Sequence, residues 1–170
     1  CDTPVEEIAA KKPAALILSG GPASVYAEDA PSVDPGVFEL GIPVLGFCYG
    51  QQIMATTLGG SVGHTEKGEY GPAPLTRCDG TDGVPASALL GDTPAEQTVW
   101  MSHRDAVSEV PEGFVITSKT DVCPVASMEC AERKLYATQF HPEVKHSEYG
   151  NQMLSNFLFD ICGLAADWTM

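Results

Sequence analysis

The stretch VLGFCYGQQIMATTLGG, residues 44–60, constrains the fold more than any other part of the chain. An apolar run stops at Cys48, which sits between Gly46-Phe47 and Tyr49-Gly50, and a helical pattern begins at once and closes at Gly59-Gly60. This is the form of a nucleophile elbow, G-x-nucleophile-x-G, with a thiol in place of a hydroxyl. A residue on so sharp a strand-to-helix corner takes strained backbone angles, and side chains on either side of it would collide. Glycine at 46 and 50 removes those collisions. The turn also aims the thiol at a helix N-terminus, where partial positive charge favours the thiolate. The pentapeptide alone reads equally well as a buried cysteine in an ordinary β–α turn.

The sequence around the corner predicts an α/β domain with a largely parallel central sheet, flanked by helices and extended by antiparallel strands. PVEEIAAKK (4–12) is a short helix with Pro near its start and acids in its first turn. AALIL (14–18) and IPVLGF (42–47) are apolar runs that fit strands buried on both faces, and VFEL (37–40) is a helical turn. QQIMATTL (51–58) follows as the helix of the corner. From 61 to 140 the segments SVGHTE, APLTR, QTVWMS, FVITSKT, PVASME and KLYATQF are short and often alternating, which predicts antiparallel strands. A short helix is expected at ASALL, inside the 80–91 loop. A last helix over about 147–162 places Leu154, Phe157, Leu158 and Ile161 on one face. In such a fold the loops at the C-terminal strand ends are where function is expected.

Charge narrows the partners. With 23 acidic and 9 basic residues the net charge is −14, a surface that repels phosphate backbones and anionic lipid, so neither nucleic acid nor membrane is an expected partner. No apolar run approaches the roughly 20 residues of a membrane-spanning helix, and the opening residues lack the layout of a signal peptide. Cysteines stand at 1, 48, 78, 123, 130 and 162 with no C-x-x-C pair, which reads as reduced thiols in a cytoplasmic setting and gives no metal-binding spacing.

Two further constellations bear on Cys48. In Gln139-Phe140-His141-Pro142-Glu143 the histidine falls where the strand KLYATQF ends, because Pro142 stops it. Glu143 is near enough to orient that histidine through its second ring nitrogen, so His-x-Glu supplies a base together with its orienter. A lone histidine at a strand end is more often structural; its occurrence with the elbow points to function. Ser19-Gly20-Gly21-Pro22 follows a buried strand and opens backbone N–H groups to a ligand, although by itself it is a plain tight turn.

Taken together, LILSGGPASVY, GFCYGQQ, VWMSHRD, ATQFHPEV and the tail ICGLAADWTM resemble the class I, triad-type glutamine amidotransferases, and within them the amidotransferase domains of the GMP synthase family. The resemblance implies a flavodoxin-like fold with Cys48 as nucleophile, His141 as general base and acid, and Glu143 as its orienter. It implies an oxyanion hole from the N–H groups of Gly21 and Tyr49, and glutamine binding by Gln52 and the Ser102-His103 segment. It further implies glutamine hydrolysis to glutamate and ammonia, the ammonia aminating ATP-activated XMP to GMP. That second step belongs to a separate synthetase (ATP pyrophosphatase) domain as partner. ATP and Mg2+ are expected on that domain, with no cofactor and no metal on this one, and the full enzyme is a candidate homodimer.

Measured against the family pattern, residues 1–162 cover the amidotransferase domain without its first strand and helix, and 163–170 match the start of the linker. A sheet lacking that strand is expected to be less stable and to expose an edge prone to association. Arg104 stands where the family has glycine, and Gln51 where it has a larger apolar residue. The remaining features take plain readings. Trp100 and Trp168 are expected in core and linker packing; His64, His103 and His146 at the surface or pocket rim and not as metal ligands. Glu28, Asp29 and Asp34 form a solvated face, and Asp105 is a candidate contact with the synthetase domain. Two rival readings are another thiol amidohydrolase of this fold and a non-catalytic glutamine-binding or interaction domain.

Overall fold

A computed structural model of the chain describes residues 3–80 and 83–167; Cys1 and Trp168 lie outside them. One sheet of seven strands organises the molecule, in the order β1-β2-β7-β6-β5-β3-β4. The strands are β1 (Leu16–Leu18), β2 (Val44–Phe47), β3 (Ser61–Arg77), β4 (Glu96–Glu109), β5 (Val115–Lys119), β6 (Ser127–Cys130) and β7 (Leu135–Thr138). The pairs β1–β2 and β2–β7 are parallel, and the remaining pairs are antiparallel. The α/β class therefore holds, with parallel pairing gathered around β2, the strand that delivers Cys48.

Alternation along β2 and β7 sends successive side chains to opposite faces. Val44, Leu135 and Ala137 join a cluster with Met54 and Ala55 of helix α2 (Tyr49–Thr57). Leu45, Phe47 and Tyr136 join the opposite cluster with Met153 and Phe157, which lie on α3 (Gly150–Ser155) and its π-helical continuation (Asn156–Ile161). Two helices thus clamp the parallel strands, and all four residues of β2 are buried. The helix at the start of the chain is α1 (Val5–Ala10), and the turn expected at 37–40 is a 3-10 turn over Pro35–Glu39.

Three expectations change. AALIL is not buried on both faces: β1 has β2 as its one neighbour among the described residues, and Ile17 is 49% exposed. An apolar run cannot by itself distinguish a central strand from an edge strand. ASALL forms no helix. The buried Glu129 carboxylate accepts the Ala88 and Leu89 N–H groups and the Ser87 hydroxyl, while Ser87 Oγ accepts the Leu90 N–H. A side chain from β6 therefore takes the place of helical backbone bonds. Burial raises the Glu129 carboxyl, an effect those donors oppose. Finally, SVGHTE and APLTR are parts of one long strand, β3, whose register against β4 shifts between His64 and Glu69.

Candidate active site

Cys48 occupies the corner between β2 and α2 with φ 50° and ψ −104°, outside the ordinary regions for a residue with a side chain. Strain of this kind persists only where the surroundings enforce it. The Cys48 N–H donates to Thr138 O at 2.7 Å, and its carbonyl accepts from the Gln51 and Gln52 N–H groups. The two elbow glycines relieve different contacts. A Cβ at Gly46 would lie 2.7 Å from the Gly50 carbonyl carbon, and one at Gly50 would lie 2.1 Å from Leu18 O. The first glycine lets the corner fold on itself; the second lets α2 dock on β1. Tyr49 then opens the helix, where its N–H has no intrahelical acceptor.

His141 follows β7, the neighbour of β2, so parallel pairing brings it beside Cys48. Its N–H donates to Trp100 O at 3.0 Å, its carbonyl accepts the Ser147 hydroxyl at 2.7 Å, and Nδ1 meets Glu143 Oε1 at 2.8 Å. α3 packs against this turn so closely that a Cβ at Gly150 would lie 1.9 Å from Pro142 O. The imidazole pKa is raised to about 9, first by its hydrogen bond with Cys48 and then by Glu143, against an opposing desolvation effect. The Cys48 thiol also lies 3.7 Å from Ser102 O.

The mouth is a cavity of about 440 Å³ lined by Gly21, Cys48, Gln52, Ser102, His103 and Arg104, among others. Gly20 sits behind it: a Cβ there would meet His141 Cε1 at 2.9 Å and Cys48 Cβ at 3.5 Å. The first glycine of the SGGP turn therefore makes room for the Cys–His pair, a role that no local pattern announces. The Gln52 amide is oriented by two acceptors, Asp105 O at 2.8 Å and Gln139 Oε1 at 3.1 Å. Asp105, read from sequence as a domain contact, is buried at the same wall. It accepts the Ser24 hydroxyl at 2.7 Å and pairs with His64, whose side chain is 66% exposed at the rim. Trp100 stacks on His146 with ring centroids 4.9 Å apart. Gln51 is buried on the core side of α2 and donates to Val125 O.

His103 reaches the cavity wall, but both of its ring nitrogens face acceptors within the protein. Nδ1 lies 3.1 Å from Asp105 O and Nε2 lies 3.0 Å from Glu69 Oε2. With Cys123 these residues form a second Cys–His–Glu group, whose candidate ligand atoms all lie within 4.8 Å of one another. Sequence spacing gave no sign of it, because its members come from β3, β4 and the loop after β5.

The chain belongs to the class-I glutamine amidotransferases: that family's profile matches residues 1–161. Among its relatives are GMP synthases (glutamine-hydrolyzing), 55% identical over 166 residues in Streptomyces coelicolor and 53% identical over 167 residues in Thermobifida fusca. The alignments take in 98% of this chain but 31% and 30% of those proteins, so the chain spans about a third of their length. A protein of Thermoplasma acidophilum described as one component of a GMP synthase has a similar solved structure, at TM-score 0.72 and 32% identity over 88% of this chain and 73% of that one. A glutamine amidotransferase of Thermotoga maritima shares the fold at TM-score 0.64 and 22% identity, covering 94% of this chain and 66% of that one.

Proposed function

We propose that the chain is the glutaminase part of a GMP synthase, working through Cys48, His141 and Glu143. One observation carries this reading above the others: a strained cysteine at a helix N-terminus, hydrogen-bonded to a histidine whose far nitrogen is held by Glu143. A thiolate paired with an imidazolium is a ready nucleophile, and the imidazolium is a ready acid for the next step.

In this reading glutamine enters the cavity with its side-chain amide toward Cys48, placed by Gln52 and the Ser102-His103 segment. The thiolate attacks the amide carbon, and the oxyanion is held by the N–H groups of Gly21 and Tyr49. His141 gives its proton to the departing nitrogen, ammonia leaves, and a γ-glutamyl thioester remains on Cys48. His141, now neutral, takes a proton from water as it attacks the thioester, releasing glutamate and restoring the thiolate–imidazolium pair. His103 serves this scheme by fixing the wall, since its ring nitrogens already have partners.

The ammonia would be consumed by a synthetase (ATP pyrophosphatase) domain, which binds ATP and Mg2+ and aminates activated XMP to GMP in the cytoplasm. The experiment is ammonia release from glutamine by the chain and by Cys48→Ala, each with and without a GMP synthetase domain supplied in trans. Cys48-dependent release that the partner stimulates is expected. No release with the thiol intact, or release that survives Cys48→Ala, would sink the proposal.

A further inference from the structure

Glu69 and His103 are register partners on β3 and β4, placed opposite each other by the shift that follows His64. The turn after β5 closes over them: Thr120 N donates to Cys123 O and Cys123 N to Thr120 Oγ1, each at 2.9 Å. This brings the Cys123 sulfur, a Glu69 oxygen and a His103 nitrogen within 4.8 Å of one another. We propose that these residues bind a single thiophilic divalent cation, Zn2+ or Co2+, through the Cys123 thiolate, His103 Nε2 and a Glu69 carboxylate oxygen.

The donor set decides the class of ion. Sulfur and imidazole ligands select zinc-like metals, whereas Mg2+ and Ca2+ require oxygen-rich shells. The outer contacts are those of a metal site. His103 Nδ1 lies 3.1 Å from the Asp105 carbonyl, the second-nitrogen contact of a metal-binding histidine, and Nε2 faces Glu69 Oε2 at 3.0 Å, so the ion would enter between these two groups and replace their hydrogen bond. Thr120 Oγ1 lies 2.9 and 3.0 Å from the two Glu69 oxygens and orients that carboxylate. Cys123 is fully buried and His103 nearly so, so the ion would be screened little by solvent. Thiolate and carboxylate together neutralise a dication. Binding breaks the Cys123 S–H bond, forms a metal–sulfur bond and releases the proton to solvent. Three protein ligands leave a fourth position for water. Zinc–ligand bonds of about 2.0–2.3 Å put tetrahedral ligands roughly 3.3–3.7 Å apart, so the group must close by about 1 Å, within reach of side-chain rotation.

The test uses the Cys48→Ala chain, which removes the cavity thiol, titrated with Co2+. One Co2+ per chain is expected, with a thiolate-to-cobalt charge-transfer band in the near ultraviolet that Zn2+ abolishes by displacement. Adding Cys123→Ser should eliminate the band, and adding Glu69→Gln should weaken Co2+ binding at least tenfold. Absence of the band from the Cys48→Ala chain overturns the proposal. So does its persistence after Cys123→Ser, or an affinity unchanged by Glu69→Gln. The readout involves no glutamine turnover, so it stands or fails separately from the glutaminase proposal.

Discussion

Cys48, His141 and Glu143 stand where parallel strands end, while Glu69, His103 and Cys123 are held on the antiparallel side of the same sheet. The residue types are identical and their environments are opposite. In the first group the cysteine is bent onto a helix N-terminus, and the histidine joins it to a carboxylate that is 43% exposed at the rim. In the second, burial pushes the thiol up to about 12, with Glu69 adding to the effect, and the imidazole is fixed at both nitrogens. A Cys–His–Glu composition therefore does not define a catalytic triad. Backbone strain and helix polarity set Cys48, the proposed nucleophile, apart from the buried Cys123 thiol.

The largest expected difference is in turnover. Cys48→Ala should lower glutaminase kcat by roughly 10⁴-fold or more, whereas Cys123→Ser should stay within about threefold of the parent. Equal losses in the two variants would break the comparison. A smaller contrast lies in the carboxylates. Glu143→Gln should reduce kcat by roughly 100-fold through misorientation of His141. Glu69→Gln should instead cost about 1–2 kcal/mol of stability in urea unfolding, as one oxygen facing His103 and Thr120 is lost.

Thiol reactivity sharpens the contrast further. At pH 8 a group with a pKa of about 12 is a thiolate only about once in ten thousand molecules. Alkylation of the native protein, mapped by mass spectrometry, should therefore mark Cys48 at least 100-fold faster than Cys123, and the difference should vanish on unfolding. Comparable native rates would mean that burial does not control these thiols.

The smallest effect is the pH dependence carried by His141. Its folded-state value of about 9 exceeds the ordinary 6.5. The stabilisation it brings is thus fully present below pH 6.5 and is lost as pH rises through about 9. NMR titration should place the wild-type midpoint near 9 and move it down in Cys48→Ala, which removes the largest cause of the shift. The stability gap between wild type and His141→Asn should shrink from pH 6 to pH 10; a gap that widens would reverse the assignment.

Legibility in the sequence followed the range of the interactions. GFCYG and FHPE could be read because each compresses its chemistry into five or fewer adjacent residues. The steric demand of the corner, the proline stop and the spacing of His141 to Glu143 are all local. Gly20 was harder, since its constraint comes from His141, a residue far along the chain. The ASALL segment misled because its propensity for helix yields to a buried carboxylate from another strand. Asp105 at the pocket wall and the fully buried Gln139 have no local signature for the same reason: what they do depends on the Gln52 amide they orient.

The sequence by itself determined the elbow, the histidine that answers it, the α/β class and the family, because sterics and hydrogen bonding between near neighbours leave few alternatives at such motifs. Tertiary structure alone decided which strand lies at the edge, which glycine clears space for the Cys–His pair, and that Glu69, His103 and Cys123 meet. Those outcomes rest on strand register and loop closure, which join residues that share no local pattern.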